Sequence, residues 1–280
     1  MEKQYRLLIE TEDKQGLIHA ISGVLLRHNL NIEQNNEFVE KSFNRFFMRT
    51  DISGEPDEAA LMADLRAVLN DDHRINLVPK KKKRVVVLAT KEHHCLGDLL
   101  LRHRYEEMDI DIVAVVSNYD TLRDLVENFN IPYHFVTHEG HTRESHEEAL
   151  LETIAPYNPE YLVLAKYMRI LTPRFVGAYS DRIINIHHSF LPAFIGANPY
   201  RQAYDRGVKI IGATAHFVNN DLDEGPIIAQ SILPVDHTHN AVDMARAGKD
   251  VEKQVLAKAL RLVFDDRVFI FRNRTIIFES

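Results

Sequence analysis

The chain has 280 residues, 45% of them apolar and 27% charged, with a formal net charge of -7. That length allows two domains with separate cores, and the acidic balance argues against a general nucleic-acid binder. The single cysteine, Cys95, excludes an internal disulfide framework, and no apolar run approaches the ~18 residues of a membrane span.

The start, Met-Glu-Lys-Gln-Tyr, lacks the apolar core of a signal peptide. A cytoplasmic protein is expected, with neither nucleic acid nor membrane as partner. Residues 1–79 predict a small α+β domain. A strand over 5–11 is followed by Asp13-Lys14-Gln15-Gly16-Leu17, which opens a helix with an acidic residue near its start. Leu17, Ile18, Ile21, Val24, Leu25 and Leu26 recur along that helix at helical spacing. Extended segments over 32–38 and 43–52, a helix over 58–69 and a short strand over 74–77 complete a β-α-β-β-α-β, ferredoxin-like order. The free N–H groups at Gly16, Leu17 and Ile18, with Asp13 in the turn before them, could take a carboxylate, and Asn31 could hold an amine across an interface. The alternative is a structural dimerisation module. Either reading predicts a homodimer or homotetramer.

Pro79 and the run Lys80-Lys81-Lys82-Lys83-Arg84 mark the expected boundary. Such a run can serve as a nucleic-acid patch, but over 80–84 it reads as a solvated linker. From 85 to 280 the rhythm changes. Apolar strands over 85–89, 112–116, 133–136 and 161–165 alternate with helical stretches, the pattern of a doubly wound, mostly parallel α/β sheet. A strand ending at His187 leads into a loop with Pro192, Gly196 and Pro199. Strands over 209–218 and 226–233, a helix over 241–264 and a hairpin over 268–271 and 275–278 follow.

Chemistry concentrates in two segments. In Ile183-Ile184-Asn185-Ile186-His187 the period of two puts Asn185 and His187 on one strand face. The turn-rich stretch from Asn219 to Gly225 carries Asp223, able to reach back over them. An amide N–H can bind a developing oxyanion, an imidazole can move a proton, and a carboxylate can hold the imidazole charged and oriented.

Asn185-Ile186-His187 with Ser189-Phe190-Leu191-Pro192, and His216-Phe217-Val218 through Asp223-Glu224-Gly225-Pro226, resemble the signatures of the folate-dependent formyltransferase superfamily. Ala165-Lys166-Tyr167-Met168-Arg169-Ile170-Leu171 resembles its pterin-holding loop. His93-His94-Cys95-Leu96-Gly97-Asp98, the run from His187 to Phe194 and Gly196-Ala197-Asn198-Pro199-Tyr200 resemble the narrower formyltetrahydrofolate deformylase family. The first 79 residues are similar to the ACT domain that this family carries. The resemblance implies hydrolysis of 10-formyltetrahydrofolate to tetrahydrofolate and formate, which would supply purine synthesis and balance the one-carbon pool. It implies Asn185, His187 and Asp223 as catalytic, and Met168, Arg169, Ile170, Leu171, Val218 and Gly196 as substrate-binding. It also implies glycine or methionine as effector, and no cofactor beyond the folate substrate.

Two alternatives stay in view: formyl transfer to an amine such as glycinamide ribonucleotide, and a non-catalytic folate- or amino-acid-responsive regulator. A regulator would not need all three polar residues. A ribonucleotide acceptor commonly needs a Gly-rich phosphate turn after the first strand. The turn Leu88-Ala89-Thr90-Lys91-Glu92-His93-His94-Cys95-Leu96-Gly97 has no glycine before Gly97 and places Glu92 where an anion would sit. An RNA acceptor would go with a further basic domain, whereas this sequence ends at Ser280. The pairs His93-His94, His187-His188 and His237-Thr238-His239 do not match common zinc spacings, so no metal is expected. Cys95 is expected at a helix start, small and partly buried.

Overall fold

The computed structural model describes residues 3–69, 71–193 and 199–279. The chain divides into two compact units, Met1–Lys81 with Phe278–Ser280, and Lys82–Ile277.

In the first unit the order is β1 (Gln4–Glu12), α1 (Leu17–Arg27), β2 (Asn31–Glu40), β3 (Arg45–Ser53), α2 (Glu58–Val68) and β4 (His73–Pro79). The four strands form an antiparallel sheet in the order β2-β3-β1-β4. One sheet face, with Leu7, Ile9, Met48 and Ile52, packs on Leu17, Ile21, Val24 and Leu25 of α1 and on Leu61 and Leu65 of α2. The helical spacing of those side chains is what joins both helices to one core. The start of α1 differs from expectation. Gly16, in the left-handed region at φ 88°, caps it with no side-chain hydrogen bond, and no acidic residue lies in its first turn. Asp13 instead donates its backbone N–H to the Asn44 carbonyl.

The second unit runs β5 (Lys83–Ala89), α3 (His94–Arg104), β6 (Ile110–Ser117), α4 (Arg123–Glu127), β7 (Tyr133–Phe135), α5 (Arg143–Ile154), β8 (Tyr161–Ala165), α6 (Pro173–Ala178) and β9 (Ile183–His187). It continues with α7 (Pro199–Asp205), β10 (Ile210–Phe217), β11 (Ile227–Pro234), α8 (Ala241–Phe264) and the hairpin β12 (Val268–Phe271) and β13 (Arg274–Ile277). The seven-stranded sheet has the order β11-β10-β9-β8-β5-β6-β7. Its strands β9, β8, β5, β6 and β7 are parallel, while β10 and β11 are antiparallel. Strand β5 shows why such strands read as continuous apolar runs. Val85 and Val87 face the core formed with Leu96, Leu99, Leu256 and Leu260, while Val86 and Leu88 face the one holding Leu150, Ile154 and Phe175. The chain leaves β5 toward β6 on one side and returns to β8 on the other. The crevice at the carboxyl ends of β5 and β8 is therefore the switch point where such sheets bind ligands.

Two expectations are corrected by the structure. Lys83 and Arg84 belong to β5 rather than to a solvated linker, and the buried Lys83 Nζ lies 2.9 Å from Asp266 Oδ1. The stretch after Pro192 is not all loop, because α7 begins at Pro199, a proline in the first helical position where its missing N–H costs nothing. Among the described residues no helix is long and apolar enough to cross a membrane.

Candidate active site

Strand β9 delivers Asn185 and His187 to one face of the sheet, as alternation requires, and β10 pairs with it so that His216 lies opposite Asn185 and Thr214 opposite His187. After β10 the turn over residues 218–224 curls back. Phe217 donates its N–H to the Pro226 carbonyl at 2.9 Å, and Asp223 takes a left-handed conformation at φ 59°. That conformation aims Asp223 Oδ1 at His187 Nδ1, 3.4 Å away, and at His216 Nε2, 3.8 Å away. Asn185, His187 and Asp223 thus converge.

The curl depends on Gly225. A β-carbon there would run into the backbone carbonyl of Phe217. Gly225→Ala is expected to destabilise the protein by about 1–3 kcal/mol. It should also lower activity by displacing Asp223, which urea unfolding and turnover measurements will check together.

His216 was not singled out from the sequence, yet it sets the amide. Its Nδ1 lies 2.8 Å from the Phe217 carbonyl and so carries the proton. Its Nε2 is then an acceptor, and the Asn185 atom 3.2 Å away must be the amide nitrogen. One Asn185 N–H is spent on His216, leaving the second free for a ligand. The signal was cross-strand register, which no single segment reveals. His187 is buried, and its Nε2 has no hydrogen-bond partner among the described residues. Burial alone would raise the Asp223 carboxyl, but the hydrogen bond with His187 and the neighbouring imidazoles of His187, His216 and His188 outweigh it. The carboxyl titrates below its ordinary range and is ionised at neutral pH.

These groups open into a cavity of about 310 Å³. Its apolar part is walled by Tyr167, Met168, Ile170 and Leu171 after β8 and by Val218 and Leu222 after β10, with Arg169 at the rim. Met168, Ile170 and Leu222 are exposed and form an apolar surface beside the polar groups. The β8 loop is anchored at both ends. Thr90 Oγ1 donates to the Lys166 carbonyl at 2.7 Å, and Glu147 accepts from the Thr172 backbone N–H at 2.9 Å and from its hydroxyl. Thr214 Oγ1 accepts from Leu191 N–H and donates to the Ser189 carbonyl, fixing the segment after β9. Gly196 lies outside the described residues. In the first unit, Leu17 is a core side chain, while Gly16, Ile18 and Asn31 are exposed and Asp13 is half-buried.

Behind His188 sits a second polar group. Glu252 of α8, 1% exposed, has its Oε2 2.7 Å from His94 Nε2 and 3.2 Å from Lys166 Nζ, and its Oε1 accepts from the Tyr200 hydroxyl at 2.6 Å. Burial would raise this carboxyl, but the His94 hydrogen bond, the Lys166 charge and Tyr200 outweigh it and bring it to about 2. His94, Cys95 and Glu252 hold donor atoms within 4.8 Å of one another. That set does not suit a cation, since the Lys166 ammonium occupies the same carboxylate and burial pushes the Cys95 thiol up. Cys95 lies at the start of α3 and is wholly rather than partly buried.

Burial, then the Lys166 and His187 charges, lower His188 to about 4, and burial also lowers His134, His146 and His216. An imidazole whose folded pKa lies below its ordinary 6.5 leaves the unfolded chain binding more protons between the two values. Stability is therefore full above 6.5 and falls as pH drops toward 4, with His188 alone accounting for about 3 kcal/mol. Thermal unfolding should move to lower temperature between about pH 7.5 and about pH 5, and His188→Gln should flatten that dependence. Equal slopes in the two proteins would contradict the assignment.

A mostly parallel sheet with an amide, an imidazole and a carboxylate at its switch point defines a class, and residues 83–260 match the family model described as formyl transferase. The chain is 55% identical over 271 residues to formyltetrahydrofolate deformylase from Haemophilus influenzae, covering 97% of this chain and 98% of that one. A crystal structure of formyltetrahydrofolate deformylase from Pseudomonas syringae superimposes with a TM-score of 0.95 at 37% identity, covering 100% of this chain and 95% of the other. Glycinamide ribonucleotide transformylase 1 from Symbiobacterium toebii gives 0.68 at 30% identity, covering 70% and 94%. The chain belongs to the formyl transferase family and, within it, to the formyltetrahydrofolate deformylases.

Proposed function

We propose that the protein hydrolyses 10-formyltetrahydrofolate to tetrahydrofolate and formate. The observation that carries this reading is the convergence of Asn185, His187 and Asp223 on a cavity with an apolar wall. The pterin lies along Met168, Ile170, Leu171 and Val218, with Arg169 at the rim, which places the N10-formyl group against the three polar residues. The Asp223 carboxylate orients a water and takes its proton as oxygen adds to the formyl carbon. The free Asn185 N–H and the His187 imidazolium stabilise the oxyanion, each such donor being worth roughly 10² to 10³ in rate. His187 Nε2–H then protonates N10, the C–N bond breaks, and formate and tetrahydrofolate leave. No cofactor enters these steps. The purified protein, given 10-formyltetrahydrofolate and no amine, is expected to release formate and tetrahydrofolate in equal amounts; folate binding without formate would contradict the reading.

The first unit we read as an ACT-like regulatory and dimerisation domain of a cytoplasmic homodimer or homotetramer, whose formate feeds purine synthesis. Its support is the start of α1, where Gly16 supplies no side-chain cap, the exposed Ile18 and the exposed Asn31 on edge strand β2. Calorimetry with glycine and with methionine tests the effector, and heat from neither would leave the domain structural.

A further inference from the structure

The fold does not by itself exclude an amine acceptor, since the glycinamide ribonucleotide transformylase shares it. Exclusion has to reside in side chains. Lys166 and His188 line the polar end of the cavity with Asn185, His187 and Asp223, the end left to a nucleophile once folate covers the apolar wall. That end is filled. Lys166 follows β8 in the left-handed region at φ 61°, where glycine would sit without strain and a lysine costs about 1–2 kcal/mol. Its side chain is nonetheless buried, 8% exposed, and its Nζ is held 3.2 Å from Glu252. Glu252 is in turn locked by His94 and Tyr200. Room for Tyr200 is made on α8 by Gly248, where a β-carbon would run into the tyrosine hydroxyl. The His188 ring bridges the two groups, 5.1 Å from His187 and 6.2 Å from Tyr200. Farther out, Lys249 is already paired at 2.8 Å with Glu92 in the turn after β5.

We infer that Lys166 and Glu252, locked together with His94 and Tyr200, are specificity-determining residues that close the acceptor side of the cavity and leave water as the nucleophile that fits. The inference rests on the hydrolase reading above. Once the side is opened, an amine can replace water. Its nitrogen forms the new bond to the formyl carbon, the N10–C bond breaks, and the amine proton passes to N10.

The test compares wild type, Lys166→Gly and Tyr200→Ala with 10-formyltetrahydrofolate and a small primary amine, glycinamide, measuring formylated amine against formate. Wild type is expected to give formate. Lys166→Gly, which also relieves the left-handed strain, should raise the ratio of formylated amine to formate by about tenfold or more. Lys166→Met, refilling the space, should return it toward wild type. Tyr200→Ala removes the α7 side chain that holds Glu252 and is read by the same ratio. The inference is overturned if neither opened variant raises the ratio, whether through unchanged partition or through loss of all turnover. Failure of the hydrolase reading is separately visible, as absence of formate from wild type without amine.

Discussion

Asp223→Asn is expected to lower the rate of formate release by roughly 10² to 10⁴ while folate affinity and thermal stability change little. The reasoning starts from backbone geometry. Asp223 sits at φ 59°, a conformation that asparagine adopts more readily than most residues. The turn therefore keeps its shape, and the amide can still meet His187 Nδ1. What disappears is the ionised carboxylate, to which the proposed mechanism gives the task of taking the proton from water. Alanine would confound that loss with backbone strain. A variant with near-normal turnover would remove Asp223 from the chemistry.

His187→Gln is expected to cost a similar factor, roughly 10² to 10⁴, because in the proposed mechanism its Nε2 both steadies the oxyanion and protonates N10. Glutamine keeps a polar atom near that position but cannot deliver a proton. Since Nδ1 lies 3.4 Å from Asp223, the two residues act as one unit. The double variant should therefore be only slightly slower than either single one, as linked catalytic groups are strongly non-additive. Comparing kcat for the four proteins decides this. A double loss equal to the product of the single losses would mean that imidazole and carboxylate work separately.

Much of this site could be read from the sequence, for identifiable reasons. Asn185 and His187 share a strand face through the simplest periodicity a chain has, and Asp223 stands in a stretch dense in turn formers. The alternation of buried strands and helices from Val85 onward likewise predicted the parallel sheet. The antiparallel pairing of β10 with β9 could not be read, because direction within a sheet is set by the connection and not by strand composition. The role of His216 is hidden for the same reason, since its tie to Asn185 exists only through that pairing. The Lys166–Glu252 lock joins the end of β8 to the middle of α8, and neither residue is unusual in its own segment. Lys83 looked like one more surface charge because its partner, Asp266, comes after the long C-terminal helix. Proline at position 199 signalled a loop by composition, although the start of a helix tolerates it equally well.

The most direct test of the central claim is a single turnover of the wild-type protein with 10-formyltetrahydrofolate in ¹⁸O-labelled water, with no amine present. If Asn185, His187 and Asp223 direct water onto the formyl carbon, each formate released should carry solvent oxygen and tetrahydrofolate should appear in step with it. Formyl carbon that stays on the folate, or formate without solvent label, would contradict the account.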